Sequence, residues 1–247
     1  LIVAHSAACT TYYWRGEFNA SREHAARVLA LYNDEKHHHL ADIMNVDPKT
    51  YVGLYASLGS WMLGYADRAV QESDAKDVNA RRRNHPFDMG YAFTIGAFLW
   101  DFRCEPERLL ACAEEAERSG RAHSLPFVSE VLAQMFKGLA WLRGGRIEKG
   151  IPQLRNATDS WTAGGAGAVV PLLRATLAEG MALNGDFDGG LSLLEESMAQ
   201  IERPGWEERS HLAEVLRLKG WMLQQQGNLA AAEENYLASI DVAREQQ

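Results

Sequence analysis

The chain has little cysteine, little proline, a deficit of positive charge and no long apolar run. Each shortage removes a class of protein. Its three cysteines, Cys9, Cys104 and Cys112, are odd in number and lack zinc-type spacing, so they read as reduced thiols of a cytoplasmic protein. Lysine and arginine total 25 against 33 acidic residues, a net charge of −8. A nucleic-acid partner needs a concentrated basic footprint. The only basic run, Arg81-Arg82-Arg83, reads as a solvated helix end. No stretch approaches the roughly 20 apolar residues of a membrane span, and no signal peptide is visible. No segment alternates like a strand. Of the seven prolines, Pro86, Pro126, Pro171 and Pro204 fall between helical segments, where proline is tolerated.

What is present is punctuation. A helix stop followed by a helix start recurs six times, at Gly16, Gly64, Arg103, Gly145, Gly185 and Gly227, at intervals of 48, 39, 42, 40 and 42 residues. A glycine just past a helix end adopts positive φ without steric cost. A fixed period of this size marks a helical-hairpin solenoid. Around Gly227 the stripe Leu216, Gly220, Leu223 continues as Ala232, Tyr236, Ile240, at helical spacing. The expected fold is therefore all-α: a right-handed superhelical solenoid of about six hairpins and twelve helices, a single domain over 1–247. Two segments break the period: Asn33 to Thr50, and the glycine-rich Trp161 to Gly167, which reads as a flexible connector. The chain starts at Leu1 and ends inside an amphipathic run, Ala232 to Gln247, so it reads as a piece of a longer protein.

The hairpins resemble the tetratricopeptide repeat, with units some six to eight residues longer than its usual length of about 34. Three stretches carry a closer resemblance. They are Asn84-His85-Pro86-Phe87 through Ala92-Phe93 to Trp100-Asp101-Phe102-Arg103-Cys104-Glu105-Pro106; Glu214-Val215-Leu216-Arg217-Leu218-Lys219-Gly220; and His38 with Asp47-Pro48. With these the chain resembles the tetratricopeptide-type C-terminal region of large bacterial signalling proteins. Such proteins carry a predicted NTPase module, often preceded by a class III adenylate/guanylate cyclase domain. It departs from that pattern in the unusually polar helix Val70 to Arg81. Nothing matches a cyclase catalytic region or a nucleotide-binding loop, so the resemblance transfers no enzymatic residue.

In a hairpin solenoid the first helix of each unit lines the concave groove. That register places Tyr13, Trp14, Tyr51, Trp61, Phe93, Trp100, Asp101, Met135, Arg143, Glu179, Arg217, Trp221 and Gln224 in the groove. Aromatics beside Arg and Gln are residues that dominate binding hot spots. His37-His38-His39 does not read as a metal site, because consecutive side chains on a helix diverge by about 100°. No Gly-x-Ser-x-Gly elbow is present, and Glu195-Glu196 and Glu233-Glu234 read as solvent faces. The expectation is a non-catalytic module without metal or cofactor. It would bind a protein or peptide segment, including a flanking domain of the same chain. The alternative is a small-molecule-sensing domain controlling an attached ATPase or cyclase. Open grooves with spaced polar anchors suit the first, and closed pockets with convergent aromatics the second.

Overall fold

The computed structural model describes residues 1–247 and contains helices but no strand. The elements are α1 (Ile2–Arg15), α2 (Phe18–Leu31), α3 (Asp34–His37), α4 (Leu40–Met44), α5 (Pro48–Met62), α6 (Ala66–Arg83), α7 (Pro86–Phe93), α8 (Phe98–Phe102) and α9 (Pro106–Ala122). They continue with α10 (Ala133–Arg143), α11 (Ile147–Ala163), α12 (Val170–Leu183), α13 (Phe187–Ile201), α14 (Leu212–Gln225) and α15 (Leu229–Glu245). A 3₁₀ turn, Ile95–Ala97, separates α7 from α8, and a π-helical turn, Phe127–Leu132, precedes α10. Without the short α3 and α4 of the long connector, and with α7 and α8 counted as one broken rod, twelve rods remain.

The chain packs as two compact units. The first is Leu1–Tyr13 with Glu17–Phe136, and the second is Trp14–Gly16 with Lys137–Gln247. The division falls inside α10 and at the end of α1, not in the glycine-rich connector. Within each unit, a second helix packs on its own first helix and on the first helix of the next hairpin. In the first unit α6 lies against α5 and α7; in the second, α13 lies against α12 and α14. Successive first helices also touch, α5 with α7 and α12 with α14.

Left-handed residues end the first helices. Gly16, Gly64, Gly145, Gly185 and Gly227 have φ between +74° and +91°. The following amide reaches back to close the turn, as Arg146 N–H does to Trp141 O at 2.7 Å and Asn228 N–H to Leu223 O at 2.9 Å. In the third hairpin this place belongs to Cys104 (φ +54°), one residue later than the assigned Arg103, with Glu105 N–H bonded to Trp100 O at 2.9 Å. A side chain in this conformation costs roughly 1–2 kcal/mol. Cys104→Gly is therefore expected to raise stability by about 1 kcal/mol, measured by urea unfolding.

Glycine also lets rods approach. A Cβ added at Gly220 would lie 2.9 Å from the Tyr236 ring and 3.1 Å from the Ala232 carbonyl. Gly220→Leu should overpack this hairpin and cost roughly 1–3 kcal/mol; an unchanged thermal melt would remove the assigned register.

The segment Trp161 to Gly167, read above as a flexible connector, makes defined hydrogen bonds. Trp161 Nε1 donates to Ala168 O at 3.0 Å, and Gln200 Nε2 donates to Gly167 O at 3.0 Å. Gly167 lies so close beneath Trp206 that a Cβ would meet its ring at 2.4 Å.

The polar helix α6 has a physical explanation: part of its polar face points inward. Ser73, Lys76 and Asn79 are buried. Asn79 Nδ2 donates to Asp47 Oδ1 at 3.0 Å and to Thr50 Oγ1 at 2.8 Å. Asp47 caps α5 by accepting from Lys49 N and Thr50 N, and its own N–H donates to Asp88 Oδ1 at 2.7 Å. Arg83 Nε donates to Asp88 Oδ2 at 2.8 Å, and Tyr32 donates its hydroxyl proton to Asp47. The sequence stretches around Asp47-Pro48 and His85-Pro86 thus meet in one buried ionic network.

Candidate functional site

Three residues projected onto the first-helix face of the second unit do come together. Arg143 ends α10, Glu179 lies in α12 and Arg217 in α14. Arg143 Nη1 bonds Glu179 Oε2. Arg217 makes a two-pronged bond to Glu214, Nε to Oε2 and Nη2 to Oε1, each 2.7 Å. Its guanidinium is held above its ordinary pKa by the Glu214 bond first, against an opposing effect of burial, and Glu179 adds a further attraction. The result is a row of alternating sign, Arg143, Glu179, Arg217, Glu214, carried by three successive first helices. Arg143 and Glu179 keep about a fifth of their side-chain surface, at 18% and 21%, while Arg217 is half exposed at 48%. Such a row offers guanidinium donors and carboxylate acceptors to a polar chain laid across it.

The neighbours vary in accessibility. Gln224 is exposed and accepts the Tyr236 hydroxyl bond at 2.8 Å. Trp221 is half-buried, its ring 6.2 Å from Phe187. Trp14 is also half-buried, edge-on to His211 at 6.1 Å, and its carbonyl accepts the amides of Arg209 and Ser210. Glu214 was missed by sequence, although its position three residues before Arg217 is the helical ion-pair spacing.

Five of the projected groove residues belong to the interior. Tyr13, Phe93, Trp100, Asp101 and Met135 are at most 2% exposed. Tyr13 packs against Phe18 and Tyr55, Phe93 lies under Arg81, and Trp100 lies under Arg108 at 3.5 Å. First helices in this fold have neighbours on several sides, so a first-helix position does not guarantee exposure. Trp61 and Tyr51 remain half-buried; Arg103 lies over the Trp61 ring at 5.8 Å.

Two of the three thiols and two of the connector histidines are quenched or engaged. Burial pushes the Cys9 and Cys112 thiols up to about 11, so little thiolate forms near neutrality. His37 Nδ1 accepts the Asn33 amide at 2.9 Å, and His38 Nδ1 lies 3.2 Å from Glu35 O. Nowhere do three or more His, Cys, Asp or Glu side chains gather as a metal could require. No helix is long and apolar enough to cross a membrane.

Two buried ionisable groups give the second unit a pH signature. Glu208 Oε1 accepts the amide of Val169, the left-handed residue before α12, at 2.8 Å. Burial pushes its carboxyl up to about 7, against the opposing effect of the Val169 amide and the nearby Trp206 indole. A carboxyl raised in the fold disfavours folding once ionised. Stability from Glu208 is thus present at low pH and lost as pH rises from about 4.5 through about 7. His211 runs the other way: burial lowers it to about 3, so its contribution is lost as pH falls from 6.5 towards 3. Glu208→Gln should therefore melt above the wild type at pH 8, an advantage on the order of 1–3 kcal/mol that disappears by about pH 5. An advantage independent of pH would contradict this assignment.

No protein-family model and no curated protein matches this chain.

Proposed function

We propose that this chain is a non-catalytic binding module, a superhelical solenoid of tetratricopeptide-like hairpins. The first helices of its second unit hold an extended peptide or protein segment. The observation that carries this reading is the Arg143–Glu179–Arg217–Glu214 row, spread over α10, α12 and α14. Three successive first helices each contribute to the row, which suits a long ligand better than a compact one. The flanking Trp221 supplies apolar area, and the negative net charge argues against nucleic acid. By its resemblance, the module would act in the bacterial cytoplasm, regulating a signalling ATPase or cyclase through a flanking domain or a separate protein.

The test begins with a displayed peptide library panned on the chain, whose recovered peptides are then titrated. Arg143→Ala, Arg217→Ala and Trp221→Ala should each weaken binding by roughly tenfold or more, as anchor losses above about 1.4 kcal/mol do. Glu233→Ala, on the exposed side of α15, should leave it unchanged. Equal losses in both sets, or losses only with unfolding, would sink the proposal.

A further inference from the structure

The first unit holds a second recognition feature, independent of the charged row. Between α1, α5, α7 and the end of α4 lies a half-open cup of about 340 Å³. Its walls include Met44, Val46, Tyr51, Phe87 and Tyr91, and no charged side chain lines it. In a chain in which 23% of residues are charged, an uncharged lining disfavours ionic ligands.

The walls are aromatic and ordered. Phe87 and Tyr91, one helical turn apart on α7, stack at 6.4 Å and 27°, and Tyr51 lies 6.4 Å from Tyr91. The backing is rigid for a separate reason. Val46 and Phe87 each precede an aspartate locked in the buried network, Asp47 and Asp88, whose direct bond measures 2.7 Å. Asn45, with φ +60°, turns the chain so that Val46 enters the wall. The Tyr51 hydroxyl lies close to those of Thr10 and Tyr55, whereas the Tyr91 hydroxyl bonds no protein group. A preformed, mostly apolar cavity with a spare donor on its wall is the usual form of a small-ligand site.

We infer that this cup binds a small, uncharged, planar aromatic molecule carrying a hydrogen-bond acceptor for Tyr91. The volume is near the lower end of ligand cavities, about 300–1,000 Å³, and so suits one or two fused rings. Stacking surfaces select a flat ligand, and the missing charge selects a neutral one.

The probe is 2-naphthol, titrated calorimetrically against the intact chain, with 2-naphthoate as charged analogue and decahydro-2-naphthol as non-planar analogue. N-acetylphenylalaninamide stands for an aromatic side chain of a peptide. The expected result is saturable 2-naphthol binding in the micromolar range, at least tenfold weaker for the carboxylate and for the saturated alcohol. Tyr91→Phe keeps the wall and removes the donor, and should weaken 2-naphthol several-fold. Ala7→Trp fills the cup from its exposed rim without touching the core, and should abolish binding while leaving the melt unchanged. No binding at 1 mM 2-naphthol, equal binding of the carboxylate, or binding retained in Ala7→Trp would overturn the inference. Tighter binding of N-acetylphenylalaninamide than of 2-naphthol would replace the free molecule with a peptide side chain. Neither result bears on the charged row, which lies in the other unit.

Discussion

Replacing Arg83 by alanine is expected to cost about 3–5 kcal/mol, among the largest single-residue losses in the chain. Arg83 is the only guanidinium bonded to both Asp47 and Asp88, at 3.5 and 2.8 Å, and both carboxylates are fully buried. Its removal leaves two uncompensated charges in a low-dielectric site. The remaining hydrogen-bond partners, Tyr32, Asn79 and backbone amides, are neutral dipoles, and the His85 ring, 3.8 Å from Asp88, can balance at most one of the two charges. The Tyr32 phenol is itself held above its ordinary pKa, by burial first and then by its bond to Asp47. Arg83→Lys should recover only part of the loss, because an ammonium cannot reproduce the two-direction contact. Urea unfolding provides the measurement. A loss below about 1 kcal/mol would mean that water reaches the network and screens it.

Lys76→Ala is expected to cost a comparable 3–5 kcal/mol. The Lys76 side chain is 1% exposed, and its ammonium bonds Asp77 Oδ1 at 2.5 Å and Ala92 O at 2.8 Å. Its stem passes two glycines: a Cβ at Gly53 would lie 3.4 Å from Lys76 Cβ, and one at Gly96 only 2.5 Å from Nζ. Ala92 is the residue whose carbonyl the Gly96 amide would take in a continuous α-helix. The lysine takes that carbonyl, and the rod breaks into α7, a 3₁₀ turn and α8 at this point. A double-mutant cycle isolates the claim. Gly96→Ala should destabilise the wild type by about 1–3 kcal/mol yet be nearly harmless beside Lys76→Ala, a coupling of at least 1 kcal/mol. Additive effects would show that the lysine does not set the break.

The helical punctuation was readable because it rests on local chemistry. Gly16, Gly64, Gly145, Gly185 and Gly227 have the positive φ that glycine tolerates, so the turns announce themselves. Cys104 carries the same conformation without the glycine signal, which is why the third turn was placed one residue early. The break between α7 and α8 could not be read locally, since the lysine that bonds the Ala92 carbonyl sits on α6. Likewise the polarity of α6 looked like a departure from the pattern because its partners, Asp47, Thr50 and Ala92, come from other segments.

The candidate site divides along the same line. Arg143 and Glu179 stand 36 residues apart, two and six residues before the left-handed glycines of their hairpins, so both fall on first helices and the register could find them. Which aromatics would be exposed was not legible. Trp100 and Trp221 both lie on first helices, yet Arg108 covers one, while the other keeps part of its surface. That outcome depends on the neighbouring helix in each case. The aromatic cup was half visible: Tyr51 was singled out, while the Phe87–Tyr91 pair, spaced one helical turn apart, was not.

Photo-crosslinking with a peptide recovered by display, carrying a benzophenone at successive positions along its length, tests the binding surface most directly. The account predicts crosslinks to α10, α12 and α14 in an order that follows the peptide, all lost in an Arg143→Ala/Arg217→Ala variant that still folds. Crosslinks concentrated on α11, α13 and α15 would contradict it.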